Sequence, residues 1–111
     1  MTTVPHLLQA LFHEEALGIM DALRQRQRYR YVQPVVVQGE PGWRVVSPCC
    51  SRNVDPDGGV IDIAWLEPVG GRWRLHARDH RRQRWVMQAE GAALAPLLEL
   101  LCADARRVFW P

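Results

Sequence analysis

The apolar residues of this chain follow a helical spacing at its two ends and an extended spacing in between. From residue 4 to residue 27 they recur every three or four positions, which predicts an amphipathic helix. The same spacing returns at Leu94, Leu97 and Leu101 and predicts a shorter helix with Pro96 in its first turn. Between them, apolar and polar residues alternate with a period of two, which is typical of half-buried strands.

The alternating part of the chain predicts about five strands, at residues 30–38, 42–47, 60–66, 72–78 and 84–88. Pro34 makes the first strand an edge strand or gives it a bulge. Turns are predicted at residues 39–42, 67–71 and 79–83, and residues 48–59 form the longest irregular segment.

The order helix, strands, helix predicts the α+β class: an N-terminal helix, a bent antiparallel sheet and a C-terminal helix. A length of 111 residues fits a single domain over residues 1–111. A helix followed by five antiparallel strands is also the order of the Sm-like RNA-binding small barrel, although no Sm signature is present and the second helix is extra.

Positive charge is concentrated in residues 71–88, the fourth and fifth strands with their polar turn. The chain has a net charge of only +2, and all of its 14 basic residues are arginine. Arginine presents a planar fork of donors that suits phosphate, carboxylate and aromatic faces. The predicted binding residues are the six arginines of this segment: Arg72, Arg74, Arg78, Arg81, Arg82 and Arg84.

Clustered arginines on an exposed hairpin predict a non-catalytic binding module. Its partner is predicted to be a nucleic acid, either RNA or single-stranded DNA, or an acidic protein. Two alternatives stay open: the arginines pair with acidic residues of a second copy in a homodimer, or they form a solvated turn that keeps the protein soluble. We expect Arg81 and Arg82 to lie in solvent.

The tryptophans admit two interpretations. Trp43, Trp65, Trp73 and Trp85 all fall in predicted strands, where large aromatic side chains stabilise a small core. We expect Trp73 and Trp85 to be substantially buried and Trp65 to share a face with Ile61 and Ile63. The alternative is a platform on which unpaired bases stack. Trp110 is expected to fold back onto the sheet or a helix.

Catalytic and metal sites find weaker support. Cys49 and Cys50 with His76 or His80 have the residue types of a zinc site, but adjacent cysteines are poorly placed to chelate one ion. A cysteine nucleophile with His76 as base lacks a local signature. Turn formation explains the Asp-Pro-Asp-Gly-Gly run at residues 55–59. We therefore predict no enzyme activity, no metal and no cofactor.

Asp62 lies within the third predicted strand, on the face opposite Ile61 and Ile63. The carboxyl group of an aspartate would also suit a catalytic acid. We expect instead a cross-strand partner for an arginine such as Arg74.

Three cysteines, two of them adjacent, form no even disulfide framework and favour a reducing cytoplasm. No segment approaches the roughly 18 apolar residues of a membrane span, and the N-terminus lacks the pattern of a signal peptide. A cytoplasmic protein without a membrane partner is expected.

The strand Gly71-Arg-Trp-Arg-Leu-His-Ala-Arg-Asp, the return strand with Trp85, a leucine-rich helix, Asp104 and the final Phe109-Trp110 resemble a small bacterial family of unknown function, DUF3024. The resemblance covers the C-terminal half, from about Val60 onward, and the Cys-Cys segment departs from it. It implies this layout of strands and helix, and it implies no activity, partner or site residues.

Overall fold

The computed structural model describes residues 6–26, 32–48 and 59–110, with the side chains of the first helix described from residue 14 onward. The elements in chain order are α1 (His6–Leu23), β1 (Val35–Gln38), β2 (Trp43–Pro48), β3 (Val60–Val69), β4 (Arg72–Asp79), β5 (Arg84–Gly91) and α2 (Leu94–Ala103). This order confirms the predicted α+β class, with an antiparallel sheet between two helices.

The five strands form one antiparallel sheet in the order β1-β2-β3-β4-β5, so each strand pairs with its neighbours in the chain. Gly70 and Gly71 alone connect β3 to β4, with φ of 56° and 77°. A two-residue turn with positive φ at both positions matches the twist of the strands it joins, and glycine adopts it without a steric penalty. The predicted turn at residues 67–71 is therefore shorter than expected, because Glu67, Pro68 and Val69 extend β3.

The core lies between the helices and one face of the sheet. Ile19 and Leu23 of α1 and Leu97 and Leu101 of α2 are buried in one cluster with residues of the strands. The members from the sheet and from the segment after α2 are Trp43, Val45, Ile61, Ile63, Ala64, Leu66, Leu75, Ala77, Phe109 and Trp110. Burial of this apolar surface is the main force that holds the two layers together.

The residues after α2 fold back onto the core, as predicted for Trp110. The Trp110 side chain is buried, and its Nε1 donates a hydrogen bond to the Leu101 carbonyl at 3.0 Å. The guanidinium of the buried Arg26 lies 5.3 Å from the centroid of the Trp110 ring and donates to the carbonyls of Leu23 and Val32. The end of α1 and the C-terminal segment are thereby fixed to each other.

Two β-bulges change the faces that simple alternation predicts. In β3, Val45 pairs with Ala64 and Val46 pairs with Asp62, so Ile63 is an extra residue and both Ile63 and Ala64 are buried. In consequence Trp65 lies on the face away from the core, and its predicted place beside Ile61 and Ile63 is wrong. In β5, Gln88 is the extra residue, because Met87 pairs with His76 and Ala89 with Leu75.

Other boundaries differ by a few residues. Helix α1 ends at Leu23 rather than residue 27, and Pro34 precedes β1 instead of lying within it. Strands β1 and β5 are at opposite edges of an open sheet in the part of the chain that the structure describes, so the Sm-like barrel finds no support. The interpretations of Cys49, Cys50 and residues 55–58 lie outside the described residues.

Candidate functional site

The sheet has a second face, directed away from the core, which we call the open face. Strand register puts one row of side chains across it, because Arg44 pairs with Trp65, Trp65 with His76 and His76 with Met87. A second row joins Glu67, Arg74 and Glu90, and Trp85 pairs with Arg78 toward the β4–β5 turn. Aromatic, cationic and anionic side chains thus alternate over this face, which is unlike the apolar core face.

Three aromatic side chains form a cluster on the open face, which we call the aromatic platform: Trp65, His76 and Trp85. The Trp65 and His76 rings stack with centroids 4.7 Å apart and an angle of 25° between their planes. Trp85 is tilted by 50° against Trp65 at 5.8 Å. Trp65 and Trp85 are both partly exposed, so part of this aromatic surface contacts solvent.

Hydrogen bonds fix the platform in position. His76 Nε2 lies 2.9 Å from Glu67 Oε1, and Trp65 Nε1 donates to the Pro41 carbonyl at 2.7 Å. The Arg78 guanidinium lies 5.2 Å from the centroid of the Trp85 ring, a cation–π arrangement. Preorganised rings lose little conformational freedom when a ligand stacks on them.

Three of the six predicted arginines have carboxylate partners within the protein. Arg74 Nε lies 2.9 Å and Arg72 Nε 3.5 Å from the Glu90 carboxylate, and Arg82 Nη1 lies 3.1 Å from Asp79 Oδ2. The hydrogen bond from Arg74 lowers the pKa of Glu90, and the backbone N–H of Arg82 lowers that of Asp79. Acidic neighbours therefore reduce the positive potential around these three arginines.

The other three predicted arginines form no ion pair with the carboxylates that the structure describes: Arg78, Arg81 and Arg84. Register places Arg78 beside Trp85 and Arg84 opposite Asp79, with Arg81 in the turn between the strands. Arg81 and Arg82 are exposed, as predicted. Within the hairpin, the arginines without a carboxylate partner are thus gathered at its turn end, where Arg78 contacts the platform.

Asp62 is a cross-strand partner of an arginine, as predicted, but the arginine is Arg44 of β2 rather than Arg74. Asp62 Oδ1 accepts a hydrogen bond from Arg44 Nη1 at 2.9 Å, because the β3 bulge puts the two side chains on the same face of β2 and β3. Arg44 and Glu90 are residues of the open face that the sequence analysis did not single out. The only signal was the alternation of Arg44 with the apolar Trp43 and Val45, which are both buried.

The predicted burial of the tryptophans holds only in part. Trp43 is buried in the core, and Trp73 is partly buried against it. Trp85 is also partly buried, but on the open face rather than in the core. The structure therefore has aromatic packing in the core and a second aromatic cluster on the open face, and the stacking of unpaired bases on that cluster stays a prediction.

Titratable groups near the site do not assemble a metal centre in the described ranges, where no three histidine, cysteine or acidic side chains are grouped to hold an ion. Burial raises the pKa of the Cys102 thiol, whose Sγ donates to the Ala22 carbonyl, so this cysteine is a poor nucleophile. No helix in the described part of the chain is long and apolar enough to cross a membrane.

Comparisons with known proteins extend the resemblance found in the sequence. Searches of the curated proteins and of the solved structures found no match. A family model, described as Domain of unknown function (DUF3024), matches residues 12–111, which cover α1 from its second turn, the whole sheet and α2. The chain belongs to the DUF3024 family.

Proposed function

We propose that this protein is a non-catalytic binding module whose open face holds single-stranded nucleic acid, either RNA or DNA. The observation that carries the proposal is the fixed, partly exposed aromatic platform with unpaired arginines beside it. Proteins that bind single strands combine aromatic side chains that stack on bases with cations that contact phosphates. A cytoplasmic location and a possible homodimer stay predictions.

The charge pattern narrows the phosphate contacts to Arg78, Arg81 and Arg84. Glu90 and Asp79 already neutralise much of the charge of Arg72, Arg74 and Arg82, so these three arginines attract a phosphate less strongly. Arg78 shares the open face with Trp85, and Arg81 lies in the turn. Arg84 precedes Trp85 and starts from the other face of β5, so a strand that stacks on Trp85 contacts Arg84 where it passes around the turn end of the hairpin. The site is expected to bind single strands more tightly than duplex DNA, because bases paired in a duplex cannot stack on the platform rings.

A titration at low ionic strength tests the proposal. Fluorescein-labelled oligo(dT) and oligo(U) should bind at tens of micromolar protein or below, with quenching of tryptophan emission, and duplex DNA should bind more weakly. Three phosphate contacts predict a slope of log K against log salt of about −2, since each contact to a single strand contributes about −0.7.

The double variant R81Q/R84Q should flatten this slope to about −0.7 while the free energy of unfolding changes by less than about 0.5 kcal/mol, because exposed charges contribute little to stability. The matched control R106Q/R107Q removes two exposed arginines beyond α2 and should keep the original slope. Absence of nucleic acid binding, or equal weakening by both variants, contradicts the proposal. Binding of polyglutamate without tryptophan quenching would indicate an acidic protein partner instead.

A further inference from the structure

A cleft lies between the aromatic platform and the β1–β2 turn. It has a volume of about 370 Å³ and is lined by Gln38, Gly39, Glu40, Arg44, Trp65 and Trp85. The tilted indoles of Trp65 and Trp85 supply flat apolar surface. The bond from Trp65 Nε1 to the Pro41 carbonyl holds the indole against the turn, so the turn and the sheet enclose the cleft together.

The polar groups of the cleft are a cation and an anion. Arg44 is held in place by its bond to Asp62, and its side chain remains 41% exposed. Glu40 is exposed and pairs with none of the cations in the described residues. A ligand in the cleft therefore meets aromatic surface, guanidinium donors and a carboxylate acceptor.

These groups complement guanine better than any other base. Guanine presents the acceptors O6 and N7 on one edge, to which arginine donates two hydrogen bonds. On its pairing edge it also presents two adjacent donors, N1–H and N2–H, which one carboxylate accepts together. Adenine and cytosine offer one amino donor next to a ring acceptor, which a carboxylate repels, and thymine and uracil offer a single N–H between two carbonyls.

Ligands with a positive charge fit the cleft less well. Two tryptophans and a glutamate also make up the type of cage that binds quaternary ammonium groups. Arg44 in the cleft and Arg78 against Trp85 repel such a cation. The same arginines attract the phosphates that flank a base in a nucleic acid chain.

We propose that this cleft binds one guanine base of a single strand, with the base stacked on the exposed tryptophan surface, Arg44 donating to O6 and N7, and Glu40 accepting from N1–H and N2–H. The inference rests on the proposed function. It adds a base preference to a site that otherwise contacts only phosphates and the faces of bases.

The test compares labelled oligo(dT) 12-mers that carry one central dG, dA or inosine. The dG strand should bind about tenfold more tightly than the dA strand, the range that one well-placed set of base contacts provides. Inosine, which lacks the N2 amino group, should lie between them. In E40Q the dG preference should fall below about threefold while the affinity for unmodified oligo(dT) is kept, because an amide accepts at one oxygen only.

E99Q is the matched control, since Glu99 is an exposed carboxylate on α2 and its change alters the net charge equally. It should keep the dG preference. Circular dichroism establishes that E40Q is folded, and R44Q, which removes the donors to O6 and N7, supplies a second variant with the same expected loss. Equal binding of the dG and dA strands overturns the guanine site and leaves the proposed function standing. Failure to bind any single strand overturns both.

Discussion

At the scale of single residues, Asp104 stabilises the C-terminal segment. Its carboxylate is buried and accepts hydrogen bonds from the backbone N–H groups of Val108, Phe109 and Trp110 at 2.8, 3.2 and 3.0 Å. Its backbone has a φ of 45°, a left-handed conformation that aspartate and asparagine tolerate better than most residues. The side chain thus satisfies donors that the fold would otherwise bury without partners.

We expect D104N to lower the free energy of unfolding by about 2 kcal/mol, because one amide oxygen replaces a charged acceptor of three bonds and charge-assisted hydrogen bonds contribute about 1.5–3 kcal/mol. Urea denaturation measures the change. The control D21N removes a carboxylate whose side chain is 71% exposed in its pair with Arg24, and it should change stability by less than about 0.5 kcal/mol. Equal effects of the two variants would contradict this role of Asp104.

His80 in the β4–β5 turn makes stability depend on pH. Burial lowers its pKa from 6.5, Arg78 lowers it further, and Asp62 and Asp79 act in the opposite direction. The unfolded chain therefore takes up a proton at a pH where folded His80 does not. The contribution of neutral His80 to the free energy of unfolding is therefore fully present above pH 6.5. It is lost as the pH falls from there through the lower pKa that His80 has in the folded protein.

The expected result is a fall in the free energy of unfolding between about pH 7 and pH 5 that is smaller in H80Q, since glutamine does not titrate. Urea denaturation at several pH values provides the measurement. Asp79 and Glu90 have lowered pKa values, so their contributions to the free energy of unfolding are lost at a more acidic pH than that of His80. They therefore do not affect the comparison with H80Q. If the free energy of unfolding fell equally with pH in the unchanged protein and in H80Q, a group other than His80 would be responsible for the fall.

At the scale of elements, the β1–β2 turn depends on Gly42. Gly42 has a φ of 82°, and a Cβ there would overlap the Leu66 carbonyl oxygen and meet the Pro68 ring. Neither a backbone carbonyl within a paired strand nor a proline ring can move aside easily. The turn that borders the proposed guanine cleft is therefore positioned by direct contact with β3.

G42A should destabilise the protein by about 3 kcal/mol, the sum of left-handed strain and of this overlap. The paired control is G18A in α1, where a Cβ would meet no atom within 4 Å. That change should stabilise the protein by about 0.5–1 kcal/mol, because alanine loses less conformational entropy than glycine in a helix. Thermal unfolding followed by circular dichroism measures both. A neutral G42A would show that the turn can move away from β3.

Periodicity and turn residues predicted the type and order of every element, since apolar residues repeat with period two or near 3.6 in most of them. The register could not be predicted, because a bulge depends on contacts between strands rather than on local pattern. Without the bulge in β5, Arg74 would pair with Ala89; the extra residue Gln88 brings it opposite Glu90 instead. The same effect moved Trp65 from the core to the open face.

At the scale of the whole molecule, the sequence located the cations and could not show which of them are free. The charge cluster at residues 71–88 contains one acidic residue, yet Glu67 and Glu90, just outside it, reach His76, Arg72 and Arg74 through the sheet. Half of the predicted binding arginines are paired: Arg72 and Arg74 with Glu90, and Arg82 with Asp79 inside the cluster. The sequence offered an aromatic platform as one interpretation but could not identify its members, because they come from three strands and meet only through the register.

The pair of indoles on the open face has a spectroscopic consequence. Two identical chromophores 5.8 Å apart and inclined at 50° couple their electronic transitions, so the circular dichroism of Trp65 and Trp85 differs from that of isolated tryptophans. Trp43, Trp73 and Trp110 pack against the opposite side of the sheet. A ligand that enters between or beside the coupled pair alters an optical signal that arises at the site itself, so the unlabelled protein reports its own occupancy.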